Sequence, residues 1–316
     1  MDFPSITSDA ILNAYGIIDP VFLNTPQYES DAVNTLLEMR LLFKVETLNP
    51  IRSFKGRGTD YFVKNNVGKT SFVCASAGNF GQGMAYACRG QNIPLTVFAA
   101  TTVNPLKLER MRQLGAEIKL AGVDFDAAKE AAKVYALTEK STFVEDGREA
   151  EVSIGAGTIG VELSHYPDSI ETLLIPVGNG ALISGIAAWF KANHKSTQVI
   201  GVVAEGAPSM DLSWRQGSIV TTERVDTISD GIAVRNPVPE ALKHMETTVD
   251  DIVQVSDQAT LQAMKLAHEL MGIVLEPAGA VGLAAAITYK NRFKGQLVAT
   301  PLCGSNLTKT QMQQWL

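Results

Sequence analysis

The sequence has 316 residues, of which 46% are hydrophobic and 19% are charged, and its net charge is −6. This length and composition predict a globular protein, more in keeping with two closely packed domains than with one, and exclude collagen-like, coiled-coil and disordered classes. No Lys/Arg run suits a nucleic-acid backbone, no apolar stretch is as long as a membrane span, and the N-terminus does not resemble a signal peptide. We therefore expect a cytoplasmic protein without nucleic-acid or membrane partners.

Short apolar runs alternate with helical patterns from about residue 70 onward, which predicts βαβ units and parallel sheets. In the first group, strands are expected at 70–75, 95–99 and 117–120, and helices at 80–89, 105–114 and 124–140, with Asp124 as the N-cap of the last helix. The rhythm restarts with strands at 173–177, 199–204 and 297–301 and helices at 182–193, 261–271 and 281–289. The restart predicts a second α/β domain.

The cysteines and histidines form no recognisable ligand set. Cys74, Cys88 and Cys303 are too few and too scattered for a disulfide framework, and neither they nor the four histidines show a zinc-like spacing. A reducing compartment and a catalyst other than histidine are expected.

Residues 52–58 read Arg-Ser-Phe-Lys-Gly-Arg-Gly and place Lys55 among small residues that let a ligand approach the backbone. A lysine taken alone is ordinarily exposed. A buried lysine, however, loses part of its preference for charge, and Schiff-base formation requires the neutral amine. This segment alone leaves both interpretations open.

Two strand-to-helix turns could bind anions, because a helix N-terminus presents unpaired backbone N–H groups. Residues 76–83, Ser-Ala-Gly-Asn-Phe-Gly-Gln-Gly, suit a carboxylate, although a plain βα turn would look similar. Residues 178–182, Gly-Asn-Gly-Ala-Leu, suit a single phosphate, since the GxGxxG pattern of a dinucleotide site is missing.

The segment 302–306, Leu-Cys-Gly-Ser-Asn, follows the last predicted strand. The carboxyl edge of an open α/β sheet is where ligands usually bind. Read alone, Cys303 is more typical of a small buried hydrophobic residue than of a functional thiol.

Together these four segments resemble the serine/threonine dehydratase branch of the tryptophan synthase β-subunit-like, or fold type II, pyridoxal-phosphate (PLP) enzymes. The resemblance spans most of the chain and includes residues 227–234 and 276–280. It implies two open-sheet α/β domains with the cofactor in the cleft between them. The large PLP-binding domain would comprise 1–69 and 149–316, and the small domain, 70–148, would carry the substrate-carboxylate loop.

The resemblance also implies a role for each motif residue. Lys55 would carry PLP as a Schiff base and remove the Cα proton of the substrate, and Asn79 would contact the 3′ oxygen of the cofactor. The implied cofactor-binding residues are Phe54, Lys55, Asn79, Gly178, Asn179, Gly180, Ala181, Leu182, Glu276 and Cys303. The implied substrate loop consists of Ser76, Ala77, Gly78, Asn79 and Phe80.

Two residue types favour β-elimination among the reactions of this family. The resemblance implies that Cys303 faces the pyridine nitrogen, and a thiol with an ordinary pKa of about 8.5 is a poor partner for a pyridinium. Ala77 stands where related racemases have a serine, and alanine cannot carry a proton. As in mammalian-type serine dehydratases, the expected reaction is loss of water from L-serine, L-threonine or a related β-hydroxy amino acid, giving a 2-oxo acid and ammonia, with the cofactor phosphate protonating the departing hydroxyl.

Several points stay open at this stage. Phe80 replaces a histidine common in the family and could admit a bulkier substrate. Racemisation, β-replacement, threonine synthase-like chemistry and non-catalytic PLP binding are the alternatives. The resemblance further implies a homodimer, and the short sequence after Asn306 implies that no C-terminal regulatory domain is attached.

A divalent-cation site is a further prediction of the resemblance. Glu205, Ser209 and Asp211 would bind Mg²⁺ or Ca²⁺, whose preferred ligands are oxygen atoms. The alternative is that these acids are solvated and that Asp211 caps a helix.

Overall fold

The computed structural model describes residues 5–103 and 105–316, except for the side chains of 105–107. It is an α/β protein with two sheets, as predicted. Residues 1–4, on which the interpretation of the N-terminus rests, lie outside the described residues. Within the described part of the chain, no helix is long and apolar enough to cross a membrane.

The larger sheet has six strands in the order β1-β2-β10-β7-β8-β9. All its pairings are parallel except that of β1 with β2. Its strands are β1 Gln27–Glu29, β2 Arg40–Val45, β7 Thr172–Pro176, β8 Gln198–Ala204, β9 Asp251–Val255 and β10 Leu297–Leu302. We call the part of the chain built on this sheet the large domain.

The smaller sheet has four parallel strands in the order β5-β4-β3-β6. Its strands are β3 Phe72–Ala75, β4 Leu95–Ala99, β5 Glu117–Leu120 and β6 Thr142–Val144. All four lie within residues 70–148, and we call this part the small domain. The predicted domain limits themselves stay a proposal.

Helices connect the strands throughout. In chain order they are α1 Ser8–Ile17, α2 Asp31–Leu37, α3 Lys55–Asn65, α4 Asn79–Gly90, α5 Pro105–Gln113, α6 Phe125–Thr138, α7 Ala150–Leu163, α8 Ala181–Asn193, α9 Ser209–Gln216, α10 Pro239–Thr248, α11 Asp257–Met271, α12 Pro277–Thr288, α13 Lys290–Phe293 and α14 Lys309–Trp315. Asp124 caps α6 as predicted, its side chain accepting from the Ala127 N–H.

The central strands of the large sheet are buried on both faces, which is why they read as continuous apolar runs. Along β7, Leu173 and Ile175 belong to one hydrophobic cluster, which contains α7 and α8, while Leu174 belongs to the cluster on the opposite face, with α11 and α12. Successive side chains of a strand point to opposite faces, so a single strand serves both clusters. At their carboxyl ends, strands β7 and β10 lead into segments that face the small domain.

Candidate active site

A cavity of about 640 Å³ lies between the two domains, at the carboxyl ends of the strands. Every residue predicted to bind cofactor or the substrate carboxylate lies on its wall. The segments that follow β3, β6, β7 and β10 contribute Asn79, Asp146, Gly178 and Cys303 respectively, Asn79 being the first residue of α4. Parallel strands place their carboxyl ends at the same edge, which explains how distant segments of the sequence meet here.

Lys55 is the first residue of α3, and its side chain is 13% exposed. Its Nζ lies 2.6 and 2.7 Å from the two carboxylate oxygens of Asp146. It also lies 4.7 Å from the centre of the Phe54 ring and 5.9 Å from that of Phe80. The amine therefore projects into the cavity between two aromatic side chains and one carboxylate.

Arg57, two residues after Lys55, is fully buried and belongs to a network of four charged side chains. Its guanidinium binds Glu46 at 2.8 and 2.9 Å and Glu162 at 2.6 and 2.9 Å. Lys44 completes the network with an ion pair of 2.5 Å to Glu162. The two cations balance the two anions, and the bonds fix the first turn of α3, from which Lys55 projects.

The predicted carboxylate loop begins where β3 ends. The Ser76 hydroxyl accepts hydrogen bonds from the backbone N–H groups of Gly78 (3.2 Å) and Gly81 (3.0 Å), so it shapes the turn. Ala77 lies on the cavity wall, and Phe80 is buried against the core of the small domain. The N-terminus of α4 therefore faces the cavity, with the Gly81 N–H of its first turn bound to Ser76.

Asn79 connects the two domains through a chain of polar contacts. Its amide donates to Glu276 Oε1 at 2.6 Å and its carbonyl accepts from the Asn306 amide at 2.7 Å. The backbone N–H of Asn306 donates to the other oxygen of Glu276 at 2.9 Å, and Arg110 donates to the Asn306 side chain. A rigid polar wall results, with the orientation of each group fixed by its neighbours.

The predicted phosphate loop joins β7 to α8. Gly180 adopts the left-handed conformation, with φ +88°, and directly precedes the 13-residue helix α8. Gly147 packs against this loop so closely that a Cβ on it would lie 2.2 Å from the Asn179 carbonyl oxygen. The arrangement offers backbone N–H groups at a helix N-terminus, which is a natural site for a phosphate.

Cys303 follows β10 and is 5% exposed. Its thiol contacts the Ala278 carbonyl oxygen at 3.6 Å. Burial, together with the nearby charge of Glu276, raises the pKa of Cys303 far above its ordinary range. The thiol on the cavity wall is therefore neutral at neutral pH.

Of the three predicted cation ligands, Glu205 is exposed, while Ser209 and Asp211 have partners within the protein. Asp211 is buried, pairs with Arg215 at 2.7 Å and accepts from Gln254 at 2.7 Å, while the Ser209 hydroxyl donates to the Val234 carbonyl. Asp211 lies in the first turn of α9, whose N-cap is Pro208, so the alternative of a solvated, capping Asp211 is wrong. No group of three or more acidic, His or Cys side chains suited to a metal occurs among the described residues.

Sequence reasoning missed Asp146, Arg110 and Asn306 as parts of the cavity, and Glu46 and Glu162 as partners of Arg57. Asn306 belongs to the segment 302–306, which the sequence already indicates as a ligand-binding edge. Asp146 sits in a run of charged and glycine residues that reads as an ordinary surface turn. Nothing local distinguishes it, because its partner Lys55 is far away in sequence.

The residues present fit pyridoxal phosphate. A lysine amine, a helix N-terminus suited to a phosphate and a neutral thiol line one cavity, and a carboxylate-binding turn lies on the same wall. The Gly178–Leu182 turn provides backbone N–H groups at a helix N-terminus, and such groups bind phosphates.

Comparisons with known proteins agree with this fit. The model of the family of pyridoxal-phosphate dependent enzymes matches residues 18–304. The chain is 32% identical over 317 residues to the biosynthetic L-threonine dehydratase of Halalkalibacterium halodurans, covering 98% of this chain and 76% of that protein. It is 33% identical over 305 residues to the L-threonine ammonia-lyase of Thermotoga maritima, covering 96% of this chain and 76% of that protein.

Solved structures lead to the same family. The processed form of threonine deaminase isoform 2 from Solanum lycopersicum has a TM-score of 0.89 and 28% identity, covering 99% of this chain and 89% of that one. Maize serine racemase has a TM-score of 0.91 and 25% identity, covering 98% of this chain and 96% of that one. The predicted fold and family are confirmed, and the chain belongs to the family of pyridoxal-phosphate dependent enzymes.

Proposed function

We propose that the protein is a PLP-dependent dehydratase that removes water from L-threonine, L-serine or a related β-hydroxy amino acid and yields a 2-oxo acid and ammonia. The observation that carries the proposal is the convergence of Lys55, the Asn79 turn, the Gly178–Leu182 turn and the neutral Cys303 thiol in one cavity. The names of the threonine dehydratase and ammonia-lyase relatives support it.

The chain would hold the cofactor by three groups of contacts. The N–H groups of the Gly178–Leu182 turn would bind the phosphate, Asn79 would contact the 3′ oxygen of the cofactor with Glu276 beside it, and Cys303 would face the ring nitrogen. Bound PLP supplies an electron sink for the bond broken at the substrate Cα. A neutral thiol does not hold a proton on the ring nitrogen, which favours rapid loss of the β-substituent over storage of charge.

The substrate carboxylate would bind at the N-terminus of α4, where Ser76 orders the turn and helix N–H groups favour an anion. The Lys55 amine, at the cavity centre, would take the Cα proton. Correct placement of the reacting atoms accounts for much of the rate in such an arrangement.

Elimination is favoured over racemisation by the residue type at position 77, on the cavity wall. Racemisation requires a second group that delivers a proton to Cα from the other side. Ala77 lacks such a group, and the neighbouring Ser76 hydroxyl is held in the turn by the hydrogen bonds that it accepts from the Gly78 and Gly81 N–H groups.

The test is a product assay with a panel of amino acids. The purified protein is incubated with L-serine, L-threonine, their D-forms and larger β-hydroxy amino acids, and ammonia and 2-oxo acid are measured together. Equal release of both products from an L-substrate, abolished by Lys55→Ala, supports the proposal. Colour from bound PLP without product release would contradict it and point to β-replacement or racemisation.

We further propose a cytoplasmic homodimer, as the family resemblance implies. Sedimentation equilibrium of the loaded enzyme tests the assembly, and a monomer at assay concentration would contradict it. A structural Mg²⁺ or Ca²⁺ at Glu205, Ser209 and Asp211 stays a prediction, tested by the effect of a chelator on thermal unfolding.

A further inference from the structure

Asp146 has a relationship to Lys55 that none of the recognised motifs accounts for. Both of its carboxylate oxygens lie within 2.7 Å of Lys55 Nζ, and its side chain is 17% exposed. Among the described residues, Lys55 is the one hydrogen-bonding partner of this carboxylate. A carboxylate so close to an amine stabilises the charged form of that amine.

The loop that carries Asp146 is fixed on both sides of it. The preceding residue, Glu145, pairs with Lys129 of α6 at 2.9 Å, in the small domain. The following residue, Gly147, has φ +87° and packs against Asn179 of the phosphate loop, in the large domain. The carboxylate is therefore held at the reacting amine by contacts to both domains, as a preorganised charge must be.

Glu276, a predicted cofactor contact on the same cavity wall, has a different set of partners. Glu276 receives hydrogen bonds from the Asn79 amide at 2.6 Å and the Asn306 N–H at 2.9 Å. Its oxygens thus organise the polar wall.

We propose that Asp146 is a further catalytic residue, which stabilises the protonated Lys55 amine after it has taken the substrate proton. The inference rests on the proposed function. When the Cα–H bond breaks, the electron pair stays with the substrate and an N–H bond forms at Lys55 Nζ, so the amine becomes an ammonium. Asp146 neutralises that charge at hydrogen-bond distance. As the Cβ–O bond breaks, its electron pair leaves with the oxygen, which would take a proton from the cofactor phosphate and depart as water. The Lys55 ammonium would return the Cα proton to that phosphate, so that both the amine and the phosphate regain their starting protonation.

The test compares Asp146→Asn, which keeps the size of the side chain but removes its charge, with Asp146→Glu, which keeps the charge. The control is Glu130→Gln, which also removes one negative charge. Glu130 lies on α6, is 67% exposed and pairs with Lys133. We expect Asp146→Asn to lower kcat about 10²-fold, the scale of a lost proton-transfer partner. It should also increase the isotope effect of Cα-deuterated substrate on kcat/KM, since proton removal becomes slower.

A second readout uses the loaded enzyme without substrate. At fixed neutral pH, Lys55-bound PLP has visible bands for a protonated and an unprotonated nitrogen, and Asp146→Asn should shift the absorbance toward the unprotonated band. Asp146→Glu should retain most of the wild-type spectrum, and Glu130→Gln all of it. Unchanged band ratios and isotope effects in Asp146→Asn would overturn the role. Because the bands need no turnover, they test Asp146 even where the product assay rejects the dehydratase.

Discussion

Arg57 and Glu162 are joined by two hydrogen bonds, of 2.6 and 2.9 Å, in a region where neither side chain reaches solvent. Glu162 belongs to α7 and Arg57 to α3, so the pair fastens the helix that begins with Lys55 to the body of the large domain. Paired parallel bonds of this kind fix orientation as well as distance. The pair therefore links the stability of the fold to the position of the Lys55 amine.

Replacing Glu162 by Gln should destabilise the protein strongly. The change keeps the size of the side chain but leaves the buried charges of Arg57 and Lys44 with only Glu46 to balance them. Breaking a buried ion pair in this way costs about 3–5 kcal/mol of unfolding free energy. Urea unfolding measures the loss, with Glu130→Gln, at an exposed pair, expected to change little. A loss equal to that of the control would contradict the structural role of the network.

Glu162 should also make stability depend on pH. Burial alone would raise its pKa, but the bonds to Arg57 and the charge of Lys44 outweigh burial and hold the pKa below its ordinary value of 4.5. A carboxyl with a depressed folded pKa contributes stability that is present above the unfolded value and is lost as pH falls through the folded value. The difference in unfolding free energy between wild type and Glu162→Gln should thus be constant at neutral pH and shrink below pH 4.5. A difference that grew on acidification would show the opposite sign.

The three cysteines should be unreactive in the folded protein. Cys74, Cys88 and Cys303 are buried and form no disulfide, and burial raises the pKa of each thiol, that of Cys88 to about 12. The thiolate is the reactive form, so a chromogenic thiol reagent should label none of them at neutral pH and all of them in urea. Cys303→Ser should reduce the number of thiols labelled in urea by one. Rapid labelling of native Cys303 would contradict its neutral, buried state.

The sequence was most informative where local pattern and final structure depend on the same residues. The strands at 95–99 and 117–120 match β4 and β5 residue for residue, because apolar runs bounded by turns are visible without knowledge of the rest. Most of the motif residues gather in one cavity because they follow strands of parallel sheets, whereas Glu276 follows α11 and precedes α12. Those two regularities account for the agreement on fold and site.

The sequence was least informative where distant contacts decide local structure. Helix α3 contains Gly56 and Gly58, which disfavour helices, and its existence depends on close packing against α7, where a Cβ on Gly58 would lie 2.3 Å from the Val152 carbonyl oxygen. Arg57 looks like part of an exposed basic motif until its buried acids are known. Asp146 gains its significance only from Lys55, 91 residues away.

Asn306 should contribute to cofactor affinity through the polar wall. Its side chain donates to Asn79 Oδ1 at 2.7 Å and to the Ile51 carbonyl at 2.8 Å. Asn306→Ala removes both bonds and the bond accepted from Arg110. A net loss of about 1.4 kcal/mol, within the range for a few hydrogen bonds, would raise the dissociation constant of PLP about tenfold. Equilibrium dialysis measures it. Asn193→Ala, which removes comparable bonds at the far end of α8, is the control and should leave the constant unchanged.

Replacement of Gly147 should change the conformation of the phosphate loop, Gly178–Leu182, in addition to lowering the stability of the fold. It has φ +87°, and a Cβ would lie 2.2 Å from the Asn179 oxygen and 2.8 Å from the Asn179 Cβ, so Gly147→Ala must displace that loop. Gly115 provides a matched control, since it has φ +92° but nothing within 4 Å of its added Cβ. Both substitutions place alanine in the left-handed region, which costs about 1–2 kcal/mol of unfolding free energy.

Only Gly147→Ala should in addition weaken PLP binding, by about tenfold or more, because a displaced Asn179 no longer aligns the N–H groups at the start of α8. Dialysis of PLP from both variants, alongside urea unfolding, separates the two effects. Equal PLP affinity in the two variants would mean that the loop adapts to the added methyl group, and the phosphate site would then owe its geometry to Gly180 and α8 alone. A loss confined to Gly147→Ala, at equal cost in stability, would assign the loop that carries Asp146 a direct part in cofactor binding.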